Sequence, residues 1–143
     1  NAITQYGNDR VTIRFDNRHG YEKVIIYADK EQMLRVFSNL FKNAAQAVPA
    51  GRKPLILVDM VQRDNWVYIR VKDNGSGIPP EMQARIFKPE FTTKSKGMGL
   101  GLAIVKNTVE SAGGSIGFRT RQGLGTSFTM RLPLWTGDET AGA

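Results

Sequence analysis

Residues 94–105 read KSKGMGLGLAIV, a basic segment with alternating glycines that leads directly into an apolar helical pattern. Glycine at alternate positions lets the backbone turn freely and lets a bulky anion approach the amide groups. The free N–H groups at a helix N-terminus point outward, and the helix dipole adds partial positive charge there. The pattern predicts a phosphate site, with a flexible linker before a helix as the alternative.

The composition is that of an ordinary globular domain. The chain has 143 residues, of which 41% are hydrophobic and 23% charged, and this suits one domain with a real core. The absence of cysteine excludes a disulfide framework, a thiolate nucleophile and zinc–thiolate sites. No apolar run approaches the length of a membrane span, and no signal peptide opens the chain. Because the first residue is Asn1 and not methionine, we expect a fragment of a longer protein.

The net charge of +7 admits three kinds of partner: nucleic acid, an acidic protein or a polyphosphate ligand. The basic residues are scattered, and no Arg-rich helix or aromatic RNA-binding signature is present, so we expect no nucleic-acid partner. The single histidine, His19, falls in a polar loop predicted for 16–22, where a solvated surface role is favoured over catalysis.

The length of the chain and the lack of internal repeats predict a single domain over residues 1–143, with a core of about 11–134 and a polar tail at 135–143. The predicted strands are Val11–Phe15, Lys23–Ala28, Leu55–Gln62, Trp66–Asp73, Ser115–Thr120 and Thr126–Leu132. The predicted helices are Asp29–Val48, Glu81–Phe87 and Leu100–Ala112. The first helix begins with a capping-box pattern, Asp29 followed by Gln32, and Gly113-Gly114 ends the last. The apolar stripe of the first helix is Met33, Phe37, Leu40, Ala44 and Val48.

Two asparagines, Asn39 and Asn43, lie four residues apart in the first helix, with Lys42 beside them. Asparagine is a poor residue for a helix interior because its amide competes for backbone hydrogen bonds. One explanation is a pair of hydrogen bonds to adjacent loops. The other is that an amide oxygen serves as a ligand for Mg²⁺, which prefers oxygen donors and retains waters and substrate phosphates.

The predicted strand that ends at Asp73 is followed by the sequence NGSGIPP, residues 74–80. An acid at the mouth of a strand, before spaced glycines, puts a carboxylate where a planar ligand can lie against bare backbone. An ionised carboxylate only accepts hydrogen bonds, so it would select an amino group such as the exocyclic amine of adenine. A simple Asp-Asn-Gly turn is the alternative. Further along, the basic and irregular residues 87–96 suit a lid that closes over a charged ligand.

Taken in order, five motifs resemble the catalytic ATP-binding domain of sensor histidine kinases, in the superfamily that includes gyrase, Hsp90 and MutL. They are NLFKNA at 39–44, DNGSG at 73–77, IF at 86–87 leading to FTTK at 91–94, GMGLGL at 97–102 and GLGT at 123–126. The resemblance covers about 11–134. The segments NAAQA and FTTK are closest to the nitrogen-regulation type of kinase.

This resemblance implies a fold and a set of ligands. The fold is an α/β two-layer sandwich, in which a mixed β-sheet is covered on one face by about three helices and ATP lies between helices and lid. Asn43 would bind Mg²⁺ with Asn39 close by, and Lys42 would contact the phosphates. Asp73 would bind the adenine amine, with Thr126 nearby.

The resemblance also assigns roles to the glycines and the lid. Gly75 and Gly77 would make room for the base. Gly97, Gly99 and Gly101 would hinge the lid and offer amides to the phosphates, and Lys94 or Lys96 would reach the γ-phosphate. The remaining nucleotide contacts implied by the family are Ile78, Phe87, Leu100 and Leu102.

The function implied is transfer of the γ-phosphoryl group of Mg-ATP to a histidine on a separate dimerisation and phosphoacceptor domain of the same protein. A response regulator would be the further partner, and dimerisation would occur only through that other domain. We expect a cytoplasmic domain without direct membrane contact, whether or not its parent is membrane-anchored.

Relatives that hydrolyse ATP carry a glutamate where this chain has Asn39, which favours transfer over hydrolysis. A serine-protein kinase of the same fold (anti-sigma or pyruvate-dehydrogenase-kinase type) and a non-enzymatic nucleotide-binding module are the alternatives.

Overall fold

The computed structural model describes residues 2–6, 10–17, 20–89 and 98–135. Its elements, in chain order, are β1 Ala2–Tyr6, β2 Arg10–Asn17, β3 Gly20–Tyr27, α1 Lys30–Gln46, β4 Ile56–Arg63, β5 Trp66–Asp73, α2 Pro80–Gln83, α3 Met98–Ser111, β6 Ser115–Arg121 and β7 Gly125–Pro133. Within these ranges, no helix is both long and apolar enough to cross a lipid bilayer.

The strands form two sheets, with the orders β1-β2-β3 and β4-β5-β7-β6. A bridge between Ile26 and Leu134 connects β3 to the end of β7. The α/β class is confirmed. We expected a mixed sheet, and this detail is corrected: every strand pair in the described part of the chain is antiparallel. Tight hairpins join β4 to β5 and β6 to β7, and such connections allow only antiparallel pairing.

Helix α1 begins where the sequence predicted it. The Asp29 carboxylate accepts a hydrogen bond from the Gln32 N–H at 3.0 Å, which satisfies one free donor of the first turn. The side chain of Gln32 accepts from the Thr108 hydroxyl of α3 at 3.4 Å, so it links two helices. The buried stripe of the helix is Met33, Val36, Phe37, Leu40 and Ala44. Val48 lies beyond the helix end and is half-buried.

The core lies between the sheets and the helices α1 and α3. The strand β5 supplies Val67, Ile69 and Val71, each at most 3% exposed, as its alternating pattern predicted. The last turn of α3 closes with two hydrogen bonds: Gly114 N–H donates to the Val109 carbonyl, and Gly113 N–H donates to the Glu110 carbonyl. This is the Schellman arrangement, and Gly113 adopts the left-handed φ of +88° that it requires.

Several predicted boundaries are wrong. The strand β1 was not predicted, and the loop expected over 16–22 is shorter, because β2 continues to Asn17 and β3 begins at Gly20. The helix expected over 81–87 is the single turn α2, after which backbone hydrogen bonds connect residues three apart and the chain continues as turns. Trp135, placed in the tail by the sequence, donates its backbone N–H to the Ile25 carbonyl at 2.7 Å.

Candidate functional site

Asp73 is the last residue of β5 and one of the few buried polar side chains, with 3% of its surface exposed. Its Oδ1 accepts two backbone hydrogen bonds, from Gly75 N–H at 2.8 Å and from Thr126 N–H at 3.2 Å. Burial raises the pKa of the Asp73 carboxyl above its ordinary value of 3.8, and the two hydrogen bonds lower it by less. The carboxyl group is therefore fixed in position by the loop after β5 and by the start of β7.

The loop after Asp73 is held by the segment before β4. The Asn74 side chain accepts from Leu55 N–H at 2.8 Å and donates to the Lys53 carbonyl at 3.0 Å. The Arg52 guanidinium donates to the Asn74 carbonyl at 2.6 Å. The Asp-Asn-Gly sequence thus forms a turn, and this turn at the same time orients the carboxylate.

The hydroxyl of Thr120 connects this loop to the β6–β7 hairpin. It accepts from Ile78 N–H at 2.8 Å and lies 2.9 Å from the hydroxyl of Thr126. It is also 3.3 Å from the carbonyl of Gly125, to which it donates. Sequence reasoning missed Thr120, because a threonine in an alternating strand gives no signal of a contact 42 residues away.

Two glycines permit the close approach of these loops. Gly77 has a φ of +81°, and a Cβ there would lie 2.5 Å from the Arg121 carbonyl oxygen. Gly75 also leaves no room for a side chain, because an added Cβ would lie 2.5 Å from the carbonyl oxygen of Ala47 at the end of α1. Both glycines are thus required by backbone packing. That they also make room for a base stays a prediction.

A cavity of about 210 Å³ opens beside Asp73. Of the predicted site residues, the structure brings six to its wall: Asn43, Asp73, Gly77, Ile78, Leu102 and Thr126. The wall also contains residues that were not predicted as site residues: Ala47, Ser76, Pro79, Met82, Ile86 and Phe128. Met82 and Ile86 are four residues apart, and Phe128 lies two after Thr126 on the same face of β7, so periodicity could have found these three. A mostly apolar cavity with a few polar groups is typical of a small-molecule site.

Other predicted residues lie away from this wall. Asn39 is half-buried and faces Gly101 of α3, Lys42 is exposed, and Gly75 lies under the end of α1. Phe87 packs with Phe118 and Phe128, with ring centroids 6.0 and 6.2 Å away.

The lid prediction falls largely on residues outside the described ranges. Lys94, Lys96 and Gly97 are among these. Gly99, Leu100 and Gly101 lie in the first turn of α3, which begins at Met98, whereas the sequence predicted a hinge there. The N–H groups of that turn are the ones that a helix leaves without internal partners.

Asn43 is the candidate metal ligand. It is half-buried on the cavity wall, where an amide oxygen is a suitable donor for a hard cation. Within residues 2–6, 10–17, 20–89 and 98–135, no group of three or more His, Cys, Asp or Glu side chains could hold a metal ion. The amide oxygen of Asn43 therefore fits a Mg²⁺ ion that takes its other ligands from phosphates and water.

The sequence matches the profile of a protein family described as histidine kinase-, DNA gyrase B-, and HSP90-like ATPase, over residues 28–136. It is 42% identical over 133 residues to the sensor histidine kinase ZraS of Escherichia coli (strain K12), an alignment that covers 92% of this chain and 28% of ZraS. The chain therefore spans far less than two thirds of this curated relative.

The chain is also similar to solved structures of histidine kinases. The mycobacterial sensor histidine kinase MprB superposes with a TM-score of 0.69 at 30% identity, and the match covers 78% of each chain. Full-length ShkA in complex with AMPPNP superposes with a TM-score of 0.64 at 32% identity, covering 78% of this chain and 23% of ShkA.

Proposed function

The chain belongs to the family of histidine kinase-, DNA gyrase B- and HSP90-like ATPases, and from this premise we propose that it binds Mg-ATP and donates the γ-phosphoryl group to a protein histidine. The acceptor histidine lies on a separate dimerisation and phosphoacceptor domain of the same protein, and a response regulator receives the phosphoryl group next. Residues 1–143 form one catalytic domain in this proposal, placed in the cytoplasm and dimeric only through the phosphoacceptor domain.

The observation that carries the proposal is the geometry of Asp73. Among the residues that the structure describes, both hydrogen bonds to its carboxylate use Oδ1, which leaves Oδ2 to accept a hydrogen bond from a ligand in the cavity. The surrounding wall is apolar, with Ile78 and Leu102 among its residues. A planar base with an amino group satisfies both features, and adenine is such a base. A similar structure that contains AMPPNP supports this assignment.

The phosphates extend toward Asn43 and the N-terminus of α3 in this proposal. Asn43 would hold Mg²⁺, which would neutralise developing charge and orient the phosphates. Lys42, the N–H groups of the first turn of α3, and Lys94 or Lys96 would supply further positive charge around them. Phosphoryl transfer requires mainly positioning and charge neutralisation, and these groups provide both.

A transfer assay tests the acceptor. The purified chain is mixed with Mg-ATP labelled at the γ-phosphate and with the phosphoacceptor domain of its parent protein. We expect a phosphoprotein that is labile in acid and stable in base, and loss of it when the acceptor histidine is replaced by glutamine. An acid-stable phosphoprotein would instead establish the serine-kinase alternative, and nucleotide binding without any transfer would establish a non-enzymatic module.

The variant Asp73→Asn tests the base assignment. The amide oxygen of asparagine can keep the two backbone hydrogen bonds, so its NH₂ group would face the cavity and oppose the adenine amine. Inosine triphosphate carries a carbonyl oxygen at that place on the base and an identical triphosphate. We therefore expect the wild type to prefer ATP and Asp73→Asn to lose or reverse this preference, as measured by calorimetric titration.

Asp59→Asn is the matched control, because Asp59 is partly exposed and pairs with Arg70 on the outer face of the sheet. It removes the same charge and should leave the ratio of the two affinities unchanged. An unaltered ratio in Asp73→Asn would contradict the assignment of Asp73 to the base.

A further inference from the structure

A second cavity, of about 310 Å³, lies at the three-stranded sheet and is lined by Arg10, Thr12, Lys23, Ile25 and Trp135. We call it the Trp135 cavity. Alternation along β2 turns Val11 and Ile13 toward the core and Arg10 and Thr12 to the opposite face of the sheet. Trp135 is fixed there by the hydrogen bond from its backbone N–H to the Ile25 carbonyl. The cavity shares no lining residue with the Asp73 cavity.

Two polar atoms of this cavity are buried without a hydrogen-bond partner in the described part of the chain. They are the hydroxyl oxygen of Thr12, a residue only 4% exposed, and the indole nitrogen of Trp135. A buried polar group without a partner destabilises the folded state. Two such atoms at one cavity offer hydrogen-bonding positions to a polar ligand.

The chemistry of the wall selects the charge of that ligand. Arg10 stacks on the Trp135 ring, with its Cζ 4.8 Å from the ring centroid, and the exposed Lys23 also lines the cavity. Neither cation belongs to the ion pairs found among residues 10–17, 20–89 and 98–135, which involve Arg14, Arg70 and Lys106. Arginine, lysine and the indole N–H only donate hydrogen bonds, and the Thr12 hydroxyl can donate. A ligand that satisfies all four is an acceptor with negative charge.

We propose that the Trp135 cavity is a binding site for a soluble oxyanion, with the phosphate group as its simplest ligand. The oxyanion accepts hydrogen bonds from the Trp135 indole N–H and the Thr12 hydroxyl, and Arg10 and Lys23 supply the charge. Charge-assisted hydrogen bonds of this kind are about twice as strong as neutral ones. The site is independent of the nucleotide site and of the proposed kinase activity.

The two tryptophans of the chain make a direct test possible. Trp66 lies under the Arg131 guanidinium, 4.0 Å from its ring centroid, and serves as an internal reference. The chain labelled with nitrogen-15 gives one indole N–H signal for each tryptophan, and Trp135→Phe assigns them. Titration with inorganic phosphate, at constant ionic strength set by chloride, should shift the Trp135 signal to saturation and leave the Trp66 signal in place.

Two variants test whether the shift of the Trp135 indole signal reports phosphate binding in the Trp135 cavity. Thr12→Val removes the hydroxyl and keeps the shape, and Lys23→Gln removes one charge; each should weaken phosphate binding by about fivefold or more. The matched control Lys72→Gln removes the same charge from an exposed position on β5 and should leave affinity unchanged. An absent or unsaturable shift, an equal shift of both signals, or insensitivity to both cavity variants would mean an adventitious ion only and would overturn the proposal.

A second experiment identifies the source of the oxyanion. The chain is sedimented with vesicles of phosphatidylglycerol or of phosphatidylcholine. For a soluble ligand, we expect Lys23→Gln and the control Lys72→Gln to bind phosphatidylglycerol equally, since each removes one charge from a chain of net charge +7. Sedimentation with phosphatidylglycerol that Lys23→Gln and Thr12→Val abolish would assign the site to a lipid headgroup and overturn the proposal of a soluble ligand.

Discussion

The side chain of Asn39 lies against Gly101, where α1 packs on α3: a Cβ added to Gly101 would lie 3.4 Å from the Asn39 Oδ1. That distance is an ordinary van der Waals contact. Gly101, one of the three glycines that the family resemblance assigned to the lid hinge, thus lies inside a helix at a helix–helix contact, next to the first asparagine of the pair.

We expect Gly101→Ala to raise the free energy of unfolding by about 0.5–1 kcal/mol, since alanine favours a helix over glycine and fits the space. Gly77→Ala should lower it by more than about 2 kcal/mol, because φ is +81° and the Cβ would overlap the Arg121 carbonyl. Urea denaturation of both variants without nucleotide measures the contrast. A similar decrease in the free energy of unfolding in both variants would show that Gly101 is packed more tightly than the structure indicates.

The neutral amide of Asn39 predicts little ATP hydrolysis, because it cannot act as a general base toward water. The isolated chain should release phosphate from Mg-ATP far more slowly than about 1 per second, near the low end of typical enzyme turnover. A coupled phosphate-release assay measures this, with Asp73→Asn as the control for contaminating ATPase. Release at or above that rate, lost in the control variant, would contradict transfer as the main reaction.

The Thr120 hydroxyl should matter for both stability and the cavity. Thr120→Val keeps the shape of the side chain and leaves the Ile78 N–H without its acceptor, which should cost about 1–3 kcal/mol of unfolding free energy. ATP affinity should fall as well, since the loop that carries Ile78 forms the cavity wall. Thr108→Val is the control, because its hydroxyl makes one long, exposed hydrogen bond. Equal effects of the two substitutions would contradict a special role for Thr120.

Asp73 should make stability fall as pH rises. Its pKa is raised in the folded state, so between 3.8 and the raised value the folded chain binds more protons than the unfolded chain. The stabilising contribution is therefore complete below the ordinary pKa and is lost as pH increases through the raised one. The unfolding free energy of the wild type minus that of Asp73→Asn should decrease from acidic to neutral pH. An increase would mean that the two N–H donors outweigh burial.

Local patterns predicted much of the framework. The Asp29 cap, the alternation of β5 and the glycine pair that ends α3 depend on residues a few positions apart, and all three are confirmed. Val36 was not predicted as a buried residue, because spacings of three and four residues are compatible with more than one apolar stripe along α1. The length of α2 was wrong because the hydrogen bonds after it connect residues three apart, which apolar spacing alone does not distinguish from a helix.

The candidate site was predictable only in part. Asn43, Asp73 and Thr126 belong to recognisable motifs, and the structure places them on one wall. The contacts that hold the wall are long-range: Thr120 with Ile78, and Gly77 with Arg121. Nothing in the immediate neighbourhood of these residues in sequence indicates their partners. The Trp135 cavity was not predicted for the same reason, since it forms where Trp135, after β7, is hydrogen-bonded to Ile25 of β3.

The Thr126 N–H that holds Asp73 comes from 53 residues further along the chain. During synthesis, the ribosome completes β5 and α1 well before β7 exists. A nascent chain that stops before β7 lacks one of the two anchors of its carboxylate and the strand that pairs with β5. A chain truncated before β7 is therefore expected to bind nucleotide more weakly than the full chain, because its Asp73 carboxylate is held from one side only.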